Sequence, residues 1–154
     1  MANLDQIDRR LLAELQDQGR ITNVELANRV GLTAPPCLRR VRGLEDSGVI
    51  RGYHAELDAS KLGFAITVFA LVSLKSQAEE SLRQFEDHMK GLPEVRECHM
   101  LNGEIDFILK IVSRDLQSFQ EFLTSKLTPA PNVASVKTSL TIRTAKQLPG
   151  VPLE

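Results

Sequence analysis

The sequence predicts an α+β chain of two unlike parts, an all-helical N-terminal segment and a longer segment ordered βαββαβ. Three observations carry this. Residues 4–50 show only the apolar repeat of amphipathic helices. From residue 53 onward, apolar runs of strand length alternate with helical stripes. Between the two halves of that second part stands Asn102-Gly103, flanked by alternating apolar residues, the dipeptide favoured in two-residue hairpin turns because both residues tolerate positive φ. The division is expected near Asp58 to Gly63, with domains at 1–60 and 61–146 and a tail at 147–154.

In the first part, Leu4, Ile7, Leu11, Leu12 and Leu15 form one stripe of a helix that Gly19 ends. A second helix starts at Thr22, with Glu25 at capping-box spacing, and stops at Gly31-Leu32. Thr33 is the expected N-cap of a third helix carrying Leu38, Val41 and Leu44, which ends before Gly48. Pro35 and Pro36 fall in its first turn, where missing N–H groups cost little. With Val49 to Leu57 as an extended segment, this is a winged helix-turn-helix, its two-helix motif at about 23–42.

In the second part, strands are expected at Phe64–Leu74, Val95–Leu101, Glu104–Ser113 and Val133–Thr144. The intervening helices carry Leu82, Phe85, Met89 and Leu92, then Leu116, Phe119, Leu123 and Leu127. Two βαβ halves of this kind make a ferredoxin-like sandwich, with the first and third strands central. Those two strands are apolar on both faces, with Phe69, Leu71, Ile108 and Val112 opposite the residues that face the helices. Two helices cover only one face of the sheet, so the apolar centre of the other predicts a homodimer.

Composition narrows the function. A chain 42% hydrophobic and 25% charged is globular rather than disordered or fibrous. No apolar run approaches the roughly 20 residues of a membrane span, and the N-terminus lacks a signal-peptide pattern, so a cytoplasmic protein without a membrane partner is expected. Cys37 and Cys98 show no metal or disulfide spacing. Cys98 and His99, adjacent on a strand, point to opposite faces, and the three histidines share no ligand spacing. No nucleophile elbow, phosphate loop or dinucleotide fingerprint is present, so no metal, no cofactor and no catalytic residue is expected. The net charge of −1 argues against nucleic acid until it is resolved locally. Residues 20–43 hold Arg20, Arg29, Arg39, Arg40 and Arg42 against Glu25 alone, a local charge of +4. Asp106, an acidic residue within an otherwise apolar predicted strand, implies a specific polar task.

Several stretches together resemble the Lrp/AsnC (leucine-responsive, feast/famine) transcriptional regulators. They are Leu4–Leu12, Gly19–Leu26, Val30–Thr33, Cys37–Ile50 and Glu97–Leu109, in an order that spans nearly the whole chain. The resemblance implies a double-stranded DNA partner, a C-terminal domain that dimerises and assembles to octamers, and a small-molecule effector of the amino-acid class held between subunits. If the third helix enters the major groove, Thr33, Ala34, Pro35, Pro36, Arg39 and Arg40 reach base edges, while Arg20, Arg29 and Arg42 are placed for phosphates. For the effector, the resemblance points to Met100, Leu101, Asn102, Gly103, Glu104 and Asp106. Ala34-Pro35-Pro36 stands where many relatives carry more hydroxyl residues, so the operator does not transfer from them. Two other readings share the layout: a siroheme decarboxylase-like enzyme subunit, and an effector-independent DNA-architectural protein. The tail from Gln147 reads as poorly ordered or draped on a partner.

Overall fold

A computed structural model describes residues 4–153. They fall into two compact units, one built from the chain up to Glu56 together with the segment from Lys146 onward, the other from Leu57–Ala145.

The first unit holds three helices, α1 (Gln6–Asp17), α2 (Asn23–Val30) and α3 (Ala34–Asp46). Leu11, Leu26, Ala27, Val30, Cys37, Val41 and Leu44 form its core, with Leu4, Ile7, Leu12 and Leu15 packed at the edge, so the predicted stripe of α1 faces inward. α1 begins with a box built from two aspartates: Asp5 accepts from the Asp8 N–H at 2.8 Å, and Asp8 accepts from the Asp5 N–H at 3.2 Å. At α2 the expected box is only half made. Thr22 accepts from the Glu25 N–H, but the Glu25 carboxylate pairs with Arg29 one turn on, at 2.6 Å. Gly31 ends α2 at φ +75°, and the Leu32 N–H closes back on the Ala27 carbonyl at 2.8 Å.

Thr33 occupies the N-cap of α3 without a side-chain hydrogen bond. Its natural donors would be the second and third amides of the helix, and both positions are prolines, Pro35 and Pro36. After α3, residues 49–57 run without strand pairing within this chain. Tyr53 fastens the segment by donating its hydroxyl to Glu45 at 2.9 Å.

The second unit contains β1 (Ile66–Leu74), α4 (Glu79–Lys90), β2 (Val95–Met100), β3 (Phe107–Ser113), α5 (Leu116–Phe122) and β4 (Val133–Leu140). The sheet order is β2-β3-β1-β4 with every neighbouring pair antiparallel, which places β1 and β3 at the centre as expected. Val68, Ala70 and Val72 stand opposite Ile111, Leu109 and Phe107. These six are buried with Phe85, Met89, Phe119, Phe122 and Leu127. Phe85 and Phe107 meet at 4.8 Å between ring centroids. Leu127 reaches this core from a π-helical turn, Leu123–Leu127, that continues α5.

Four expectations need correction. The first strand starts at Ile66, leaving Phe64 outside it beneath the Arg114 guanidinium, and the fourth ends at Leu140 rather than Thr144. The third strand starts at Phe107 rather than Glu104. Asn102-Gly103 does not make a two-residue turn, since neither residue adopts positive φ. The connection is wider, closed by the Leu101 N–H donating to the Asp106 carbonyl at 2.8 Å. The physical reason is loop length: four residues, 102–105, separate this pair, and loops of that length are most often built on type I turns, which need no positive φ, while Asp106 donates its N–H to the Val72 carbonyl and accepts from the Leu74 N–H at the adjacent end of β1.

Candidate functional site

α3 turns Cys37, Val41 and Leu44 inward, which fixes the residues it shows to solvent. Half a turn away stand Pro35, Arg39 and Arg42, exposed, with Leu38 beside them. Thr33 is exposed at the helix start, Ala34 and Pro36 are half-buried, and Arg20 is exposed in the turn between α1 and α2. A bond the sequence reading missed holds the two motif helices: the Asn23 side chain donates to the Ala34 carbonyl at 2.8 Å. Asn23 is a first-turn residue of α2, and nothing in its local pattern signals that contact.

The basic stretch is not uniform. Arg40 lies to the side of α3, where its Nη1 contacts Asp5 and Asp8 of α1, each at 2.7 Å. Those bonds hold its guanidinium above its ordinary range, Asp8 contributing most. The Asp5 carboxyl is held low, chiefly by the Asp8 N–H and then by Arg40. Arg29 is held by Glu14 at 2.8 Å and Glu25 at 2.6 Å, with Gln18 a further acceptor. Among the described residues, Arg20, Arg39 and Arg42 have no such ion pair. The five arginines therefore divide into two paired with carboxylates of the same unit and three without such a pair.

In the second unit, Met100, Leu101, Asn102, Gly103 and Glu104 are exposed, with Met100 at 60%. Asp106 is buried, and both its carboxylate oxygens are occupied: Oδ2 accepts from the Leu74 N–H at 2.6 Å and Oδ1 from the Gln77 side chain at 2.9 Å. The acid inside apolar sequence did signal a polar task, but its partner Gln77, in the β1–α4 connection, belongs to no periodic pattern. Cys98 is half-buried, and burial pushes its thiol up to about 11. The neighbouring His99 turns instead to Glu97, 3.3 Å away. No group of three potential metal ligands occurs among the described residues.

A model of winged helix-turn-helix DNA-binding domains matches residues 4–51, and a model of the Lrp/AsnC ligand-binding domain matches residues 67–151. The chain belongs to the Lrp/AsnC family. A leucine-responsive regulatory protein of Rhizobium meliloti is 54% identical over 93% of this chain and 92% of its own length. The Bkd operon transcriptional regulator of Pseudomonas aeruginosa is 40% identical over 99% of this chain and 100% of its own. A transcriptional regulator of Neisseria meningitidis, solved as an L-Met complex, matches with a TM-score of 0.93 at 34% identity, covering 98% of this chain and 97% of that one.

This Lrp/AsnC protein is accordingly a DNA-binding transcriptional regulator with a ligand-binding domain, and the enzyme reading falls because its relatives are regulators. None of its described helices is long and apolar enough to cross a membrane.

Proposed function

We propose that this regulator acts in the cytoplasm as a homodimer assembling to an octamer, binds operator DNA through α3, and changes DNA occupancy when an amino acid engages residues 100–104. On DNA, Arg39 and Arg42 are the contacting side chains of α3, Thr33 to Pro36 approach at its N-terminus, and Arg20 meets phosphate. Arg29 and Arg40 serve as positioning residues, because their guanidinium groups are already engaged by carboxylates of the same unit. Asp106 likewise positions the effector loop. Its two oxygens are spent on Leu74 and Gln77, so Met100 to Glu104 present the ligand-facing groups.

Dimerisation through the open face of the sheet suits the placement of Phe69, Leu71, Ile108 and Val112, which stand opposite the helix-packed side of β1 and β3. Pairing also supplies what a near-neutral chain lacks. Two copies bring two sets of free arginines to adjacent half-sites, about one helical turn apart.

The observation that carries the amino-acid reading is the likeness to the Neisseria regulator solved with L-Met, which extends over almost the entire chain. The test is a thermal-shift screen of the purified protein against the twenty amino acids, followed by gel shift and sizing with each hit. At least one amino acid should raise the melting temperature and alter operator affinity or oligomer size. A protein that binds DNA yet responds to none of the twenty is an architectural DNA-binding protein instead.

A further inference from the structure

The C-terminal segment makes contacts that neither DNA binding nor effector binding requires. The Gln16 side chain of α1 clamps the backbone of Val151 at two points: its Nε2 donates to the Val151 carbonyl at 2.8 Å, and its Oε1 accepts from the Val151 N–H at 2.9 Å. The two bonds take the N–H and the carbonyl of one residue, so the segment is held on both sides of the Val151 Cα.

Gly150 explains how the segment approaches so closely. Its φ is +68°, and a Cβ there would stand 1.9 Å from Gln16 Oε1 and 2.3 Å from the amide carbon. Any larger residue must therefore evict Gln16. Pro149 and Pro152 flank the clamped pair and lower the entropy lost when the segment is held. The chain consequently passes between the two compact units twice, after Glu56 and again after Ala145.

We propose that residues 148–153 are a strap that docks on α1 through Gln16 and restrains the helix-turn-helix unit, so that dimers discriminate between half-site spacings. With the strap released, the covalent chain after Glu56 is the remaining link on that side of the unit. The functional half of this inference rests on the dimeric DNA binding proposed above, whereas the docking itself does not.

Hydrogen exchange of the full-length protein, read by mass spectrometry on the C-terminal peptide, tests the docking. Val151 should exchange slowly in the unmodified chain and about tenfold faster in Gln16→Ala and in Gly150→Ala. Gln16→Glu keeps the acceptor for the Val151 N–H but sets a carboxylate oxygen against its carbonyl, and should exchange at an intermediate rate. Unprotected exchange in the unmodified chain, or equal rates in all of these proteins, overturns the docking. Gel shifts on synthetic sites with varied half-site spacing test the restraint. The full chain should bind one spacing at least tenfold more tightly than its neighbours, and a chain truncated after Gln147 should bind them alike. Identical spacing profiles overturn the restraint even where exchange supports docking, and loss of all DNA binding by the full chain overturns the dimeric reading beneath it.

Discussion

Arg40 of α3 places one guanidinium nitrogen 2.7 Å from the Asp8 carboxylate of α1, joining the helix that carries the free arginines to the helix beneath it. The same nitrogen contacts Asp5, the N-cap of α1, so one side chain bridges a helix start and the side of another helix. Two adjacent arginines in the sequence thus have different surroundings.

Arg39→Ala should weaken operator binding at least tenfold without altering the melting temperature, and Arg42→Ala should reduce the salt slope by about one. Arg40→Ala should instead lower the melting temperature slightly, with a smaller loss of affinity that is uniform across sequences. Gel shifts over a salt series beside thermal melts distinguish the two patterns; equal melting and equal affinity loss for Arg39→Ala and Arg40→Ala would contradict the division. Acid should remove the Asp5 part of this support. The Asp5 carboxyl is depressed below its ordinary value of 3.8, so its contribution is complete above that pH and disappears as pH falls through the lower folded value.

Asp106→Ala should cost about 1–3 kcal/mol in denaturant unfolding, because it strands the Leu74 N–H without its acceptor. Gln77→Ala should cost less, since that side chain is only partly buried and water replaces the bond. Both should reduce the thermal shift produced by an amino-acid hit, as the loop they hold loses its set position. An Asp106→Ala protein of unchanged stability would falsify the bracing role.

Phe69→Asp should yield monomers in analytical ultracentrifugation while leaving far-UV circular dichroism intact. Phe69 lies on the uncovered face at 38% exposure, and pairing through that face would bury a carboxylate whose nearest cation, Lys110 opposite it in β3, is already bonded to Glu97. DNA affinity should fall more than tenfold at fixed salt, since one set of free arginines then acts alone. A dimeric Phe69→Asp protein would place the dimer interface elsewhere.

Tyr53 is the only tyrosine in a chain without tryptophan, so its ionisation can be followed directly by ultraviolet absorbance. Burial first, and then the bond to Glu45, push its phenol up to about 12. No phenolate should form near pH 10.5 in the folded protein, and Glu45→Gln should shift the midpoint downward. A raised folded value contributes stability below the ordinary tyrosine range near pH 10, and that contribution is lost as pH rises toward 12. Titration at the ordinary value would show that the segment after α3 is not held.

The sequence by itself determined the order of elements and their inner faces, because burial imposes a repeat of 3.6 residues on a helix and two on a strand. Leu11, Val41 and Leu44 in the first unit, and Val68, Val72 and Leu109 in the second, were readable on that ground alone. Even the ends of α2 were local matters, with Thr22 before it and Gly31 after it.

Tertiary structure decided which polar groups are free to act, since charge and hydrogen-bond partners come from segments distant in sequence. Asp5 and Asp8 are more than thirty residues from Arg40, and Gln77 is 29 from Asp106. The clamp of Gln16 on Val151 spans 135 residues. A local count of charges in residues 20–43 sees five equivalent arginines. Folding pairs two of them with carboxylates while leaving their side chains about a third exposed, and leaves three without such a partner among the described residues, because a carboxylate brought within hydrogen-bond reach by another helix fixes a guanidinium in place.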